Sequence, residues 1–269
     1  MAMSLSSPRA ADRPRPRLPL GQIVRASYRA VLGHPREFLA RVMPWYSVVI
    51  AIAVARLLQG IFNDFGTDYV IWLGRVGFLA EFVGALFFAV HWNRAVLLRE
   101  GVAQAPILSL RALRFLAMLA VAAVLIGLFA TGAVGLIAIF GNWRAMYHVH
   151  LGLILLILLI FGAARLLPTL ALASVDYRGS ELMAALRLTR GHALALFQGI
   201  FAVAIPPLLG RSVMVLLAKL FDDPAAFVVF QMLAAGFTFL AVALGIGFGA
   251  HVYVELSKLD PSRSADHRA

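Results

Sequence analysis

The sequence predicts an all-α polytopic membrane bundle of about six transmembrane helices, with short amphipathic helices on its cytoplasmic side. Three observations predict it. First, 62% of the 269 residues are hydrophobic and 14% are charged, with a mean hydropathy of +0.88. Soluble domains carry roughly 45–50% apolar and about 25% charged residues, so this composition calls for a bilayer as solvent. Second, the apolar residues fall in long blocks, unlike the short alternating strands of a membrane β-barrel. Third, the arginines gather in alternate inter-block segments, the pattern of a multi-pass topology.

Residues 1–19 are polar and rich in proline and arginine (PRAADRPRPRLP), and read as a disordered basic cytoplasmic tail. They lack the apolar core of about 7–15 residues that a secretory signal needs. From residue 20 to about residue 32 the pattern changes. Ile23, Ala26, Ala30 and Val31 share one helical face with Arg25 and Arg29 beside it, which predicts an amphipathic helix on the membrane surface. Gly33 and Pro35 are expected to stop it.

A membrane domain over 20–257 follows from six apolar blocks, each long enough for the ~20 residues of a span. They lie at about 42–62, 70–93, 115–140, 150–174, 194–220 and 225–254, and 258–269 form a C-terminal tail. Before the first span the chain carries Arg25, Arg29, Arg36 and Arg41 beyond those of the tail. The second loop carries Arg94, Arg99, Arg111 and Arg114; the fourth carries Arg178, Arg187 and Arg190; Lys258 follows the last span. The intervening loops hold Asp64, Asp68, Asp222 and Asp223 and few cations. The positive-inside rule then puts both termini in the cytoplasm. Trp45, Tyr46, Tyr69, Trp72, Trp92, Trp143 and Tyr147 near span ends are expected in interfacial belts.

The formal charge of +11 fits topology and contact with anionic lipid better than nucleic-acid binding, because the arginines are not gathered on one soluble domain. Arg25, Arg29, Arg111, Arg114, Arg187 and Arg190 are the candidate lipid-facing basic residues of the surface helices. Cysteine is absent, which removes disulfides and thiolate chemistry. There is no Walker loop, HExxH, GxSxG or catalytically spaced carboxylate pair, and no cofactor is expected. His148 and His150 are two apart and would point to different helix faces, a poor metal pair.

A weak internal repeat relates Ala26–His34 (ASYRAVLGH) to Ala184–His192 (AALRLTRGH), with Ala, Arg, Gly and His matching in register. Pro106–Arg114 (PILSLRALR) also precedes a span. A threefold unit of surface helix plus two-span hairpin is the expectation.

Two runs carry a resemblance: His91–Glu100 (HWNRAVLLRE) and Arg165–Phe197 (RLLPTLALASVDYRGSELMAALRLTRGHALALF). Both resemble poorly characterised bacterial membrane proteins similar to the membrane domain attached to some glycerophosphodiester phosphodiesterases. In that group a polar turn, an amphipathic helix and an "lTrGn–lf"-like segment follow a span. Here Leu188–Phe197 occupies that place, with His192 where asparagine is more usual. The resemblance implies a six-span bundle in a bacterial plasma membrane. It implies no activity, because the phosphodiesterase is a separate soluble barrel.

Ionisable residues inside spans cost about 2.5–3.5 kcal/mol on insertion scales, so each needs a partner or a purpose. Arg56 falls in span one, Arg75 and Glu81 in span two, Arg165 in span four and Arg211 in span five. Arg75 lies roughly 240° around the helix from Glu81. Arg56 and Arg75 lie close enough to the outer face to snorkel. Glu81 is therefore expected to pair with Arg211 or Arg165. These five residues form a candidate intramembrane polar site, read as a structural ion pair, an anion site or a proton-coupling group. Pro206, Pro207 and Gly210 are expected to interrupt span five beside Arg211. Ala241, Gly245 and Gly249 recur every four residues in span six, a face for close packing within the chain or between copies. The functional expectation is a non-enzymatic membrane scaffold or lipid-associated protein. The alternative is a small transporter or lipid-handling protein with an arginine-lined site for an anionic ligand.

Overall fold

The structure, a computed structural model, describes residues 18–62, 67–99, 189–221 and 223–258, together with Leu113, Ala117, Arg165, Leu167 and Pro168. The described residues form five helices and no strand: α1 (Leu20–Leu32), α2 (Pro35–Phe62), α3 (Thr67–Leu98), α4 (Ala193–Leu220) and α5 (Pro224–Lys258). Segments of α2 to α5 are long and apolar enough to cross a membrane: Pro35–Ala55, Arg75–Leu98, Ala193–Leu220 and Ala225–Lys258. The chain is a multi-pass membrane protein. Apart from Ala117, Arg165, Leu167 and Pro168, the spans expected at 115–140 and 150–174 lie outside the described residues, as do the basic residues Arg111, Arg114 and Arg187.

Helices α2, α3 and α5 run past the apolar blocks that announce them, because backbone hydrogen bonding does not stop at the first charged side chain. The break between α1 and α2 falls at Gly33 and His34, and Pro35 opens α2, where its missing N–H costs nothing. Asp223 caps α5, its carboxylate accepting from the N–H groups of Ala225 and Ala226 at 3.2 Å each. The matched Gly-His pairs of the repeat differ locally. Gly33 is helical at φ −76°, whereas Gly191 sits at φ 90° in the turn before α4.

The longest helix, α5, is the hub. It packs along α4, and also meets α1, α2 and α3, while α3 and α4 barely touch each other. Where α2, α3 and α5 converge, Phe88 and Phe239 are fully buried and meet edge to face with ring centroids 5.6 Å apart. Two aromatic donors tie neighbours to α5. The Tyr46 hydroxyl donates to the Met232 carbonyl at 2.8 Å, and the Trp92 indole N–H donates to the Ala243 carbonyl at 2.9 Å. Each carbonyl has a glycine four residues on, Gly236 and Gly247, where an added Cβ would come within 3.7 Å of the donor atom. The missing side chains leave the carbonyls reachable from the side. Trp92 is 2% exposed, so it is a core residue and not part of an interfacial belt; Trp72, 56% exposed, stands on the outside. The periphery is apolar too, with Leu208, Leu209, Val213 and Leu216 exposed along α4. That is the surface a lipid solvent allows.

Two expectations change here. The fifth span is not broken: α4 is continuous through Pro206 and Pro207. Pro206 cannot donate to the Ala202 carbonyl four residues back. Tyr28 of α1 supplies the donor instead, its hydroxyl reaching that oxygen at 3.1 Å. Burial pushes the Tyr28 phenol above its ordinary value, so it stays protonated and donating at neutral pH. Replacing Tyr28 with phenylalanine is expected to cost about 1 kcal/mol, the net worth of one hydrogen bond. Thermal denaturation in detergent reads this out, and an unchanged midpoint would mean that the carbonyl finds another donor. The second change concerns α1. Ile23, Ser27 and Val31 are buried, and α1 packs against α5 and α4, so this face is covered by protein. Arg25 and Arg29 remain exposed.

Candidate functional site

Glu81 lies mid-helix on α3, Arg211 in the second half of α4, and Thr238 on α5 between them. Because α3 and α4 flank α5 without packing on each other, a gap opens above α5. The three side chains meet in it. The Thr238 hydroxyl donates to Glu81 Oε1 at 2.6 Å and accepts from Arg211 Nε at 3.0 Å. Arg211 Nε is 4.0 Å from the same carboxylate oxygen, at the outer limit of an ion pair. The hydroxyl has one proton, and the Ala234 carbonyl at 3.3 Å is the weaker acceptor for it. Thr238 is therefore a bridge: it carries the guanidinium's donation onward to the carboxylate.

The side chain of Glu81 is 19% exposed and that of Arg211 39%. Among the described residues, the only hydrogen bond of the Arg211 guanidinium is the one from Nε. Its two terminal nitrogens are therefore left to face other groups. What they face is a pocket of about 460 Å³. Apart from the triad its walls are apolar, with Phe78, Phe82 and Leu86 from α3, Leu208 from α4, and Val242 and Ile246 from α5. Ala85, Ala89 and Gly245 make the room, being too small to fill the gap between α3 and α4. Phe78 and Leu208 on its walls are 68% and 44% exposed.

Of the five residues expected at the site, the structure brings Glu81 and Arg211 together. Arg75, on another face of α3, is exposed. Arg165 is half-buried in helical backbone and has a partner of its own, while Leu167 beside it lines the pocket. The side chain of Arg56 lies outside the described residues. Gly245 and Gly249 are both buried within the chain. An added Cβ at Gly249 would meet the Leu167 carbonyl oxygen at 3.1 Å, and one at Gly245 would meet Ile200 at 3.7 Å.

Sequence reasoning missed Thr238. It also missed the polar cluster at the end of the bundle that carries α1. There Arg41, Asn93 and Arg94 are 4%, 1% and 5% exposed, although the arginines read as loop charges. Arg41 meets Glu37 at 2.9 Å. The signal was present in HWNRAVLLRE, where the adjacent polar pair Asn93 and Arg94 stands between apolar residues inside α3. Among the described residues, no group of three histidine, aspartate or glutamate side chains is placed to hold a metal ion.

Comparison with protein-family models, curated proteins and solved structures finds no match, so the assignment to the multi-pass membrane class rests on the chain's own apolar helices.

Proposed function

We propose that the chain is a non-enzymatic, lipid-handling protein of a bacterial plasma membrane, with its arginine-rich end in the cytoplasm. Its pocket takes a single-chain anionic amphiphile. One observation carries this reading: a pocket that is apolar but for Glu81, Thr238 and Arg211 is lined by a guanidinium whose terminal N–H groups make no hydrogen bond among the described residues. A carboxylate or phosphate head would accept from those nitrogens, a geometry that arginine's planar fork suits. The acyl chain would lie along Phe82, Leu86, Val242 and Ile246. The exposed rim at Phe78 and Leu208 supports access from the side of the bundle. Glu81 tempers the site, because it offsets most of the positive charge and makes binding reversible. The resemblance to phosphodiesterase-linked membrane domains agrees with a lipid setting.

The test is labelling with a photoreactive C12 fatty acid in neutral detergent. Arg211→Gln is expected to lower labelling about tenfold, the effect of losing one charged hydrogen-bonding partner worth about 1.5–3 kcal/mol. Glu81→Gln is expected to raise it, because the countercharge is gone. Leu86→Trp, which fills the pocket, should lower it without touching any charge. Equal labelling of all three variants would leave the triad as a structural tie and favour a scaffold.

A further inference from the structure

A second cavity, of about 530 Å³, lies at the end of the bundle that carries α1, where α1 and the start of α2 meet the ends of α3 and α5. His34 in the break before α2, Glu37 of α2, Arg99 after α3 and His251 of α5 line it, with Ala95 and Val96 as apolar wall. Glu37 is already offset by Arg41, whose side chain is 2% exposed. That leaves the Arg99 guanidinium as the uncompensated charge, since it makes no hydrogen bond or ion pair among the described residues. His251 Nε2 is buried there with no hydrogen-bonding partner. A buried polar atom without a partner costs about 1–3 kcal/mol. It is therefore expected where a ligand completes the site. Arg99 also adopts φ 54°, a left-handed backbone that non-glycine residues rarely take. This strained turn, closed by its N–H to the Ala95 carbonyl at 3.1 Å, ends α3 at the rim of the cavity.

From these observations we infer that the cavity is a phosphate-binding site, taking the phosphate of a lipid headgroup or a free phosphate ion. A phosphate needs several donors and a cation, and a guanidinium with two imidazoles supplies both, even with each imidazole neutral and donating one N–H. The volume is more than a bare ion fills, and the Ala95–Val96 wall suits the glycerol carbons of an ester. The site is independent of the Arg211 pocket, which lies farther along the same helices.

Both test variants preserve the fold on physical grounds. Arg99→Gly relieves the left-handed backbone while removing the guanidinium. His251→Leu removes a polar atom that has no partner. Dihexanoyl phosphatidic acid and inorganic phosphate would each be titrated into the full-length protein in neutral detergent by isothermal calorimetry. Each variant is expected to weaken binding at least tenfold, while Arg25→Gln, on the exposed face of α1, leaves it unchanged. Binding of the ester alone identifies a lipid headgroup, and equal binding of inorganic phosphate identifies the free ion. Either supports the site. No binding of either probe, affinities unaltered in Arg99→Gly and His251→Leu, or an equal loss in Arg25→Gln would overturn it.

Discussion

Replacing Glu81 with leucine is expected to destabilise the bundle by about 3 kcal/mol, because it strands Arg211 in an apolar setting with no carboxylate. The Thr238 hydroxyl would turn back to the Ala234 carbonyl, 3.3 Å away, and the Arg211 guanidinium would keep only a neutral acceptor. The second half of the prediction separates coupling from general damage. Leucine at both 81 and 211 removes the charge together with its partner, and uncharged side chains of similar volume often match or exceed a buried pair in stability. The double variant should therefore recover most of what Glu81→Leu loses. Denaturation of the two single variants and the double variant in one detergent gives the coupling energy directly. If the losses simply add, Glu81 and Arg211 are neighbours without being partners. Thr238→Val should fall between, near 1–2 kcal/mol, since it removes the bridge but leaves the charges opposed.

The same triad shows where sequence reading stops. Glu81 stood out because a carboxylate in an apolar block is costly wherever the helix points. The choice between Arg165 and Arg211 could not be made from depth. It depends on which helices are neighbours around α5, a property of packing. Thr238 was silent for a different reason: a threonine in a helix can satisfy its hydroxyl on the carbonyl four residues back, so its presence implies no partner. Pro206 and Pro207 misled in the opposite direction. Their local cost is real, but the donor that offsets one of them is Tyr28, distant in sequence and on another helix. The position of Trp92 near a span end points to a belt, and only the depth of α3 against α5 makes it core. The presence of long apolar helices survives such errors where residues are described, since it follows from composition over twenty-residue stretches. Side-chain roles depend on azimuth, which one-dimensional patterns do not carry.

The tightest helix approach lies off the small-residue face that the sequence displays, and glycine substitutions rank the sites. At Gly199 of α4 an added Cβ would collide with the Phe248 ring of α5 and lie 2.7 Å from Leu20 Cδ1 of α1. Phe248 is fully buried, so its ring cannot swing away. Even Gly199→Ala is therefore expected to cost about 1–3 kcal/mol, by forcing apart the three helices that meet there. At Gly249 the obstacle is the Leu167 carbonyl oxygen at 3.1 Å, which needs to give only a few tenths of an ångström, so alanine there should cost less. Gly245→Ala meets nothing closer than 3.7 Å and should be tolerated. Gly21, with nothing within 4 Å, should gain up to about 1 kcal/mol as alanine, from helix propensity alone. Melting midpoints of the four variants in the same detergent test this order. Pairing Gly199→Ala with Phe248→Leu should return part of the loss, because the smaller side chain vacates the volume the new methyl needs. Absence of any such recovery, with Gly199→Ala as stable as Gly245→Ala, would mean that α4 and α5 do not approach each other at Gly199.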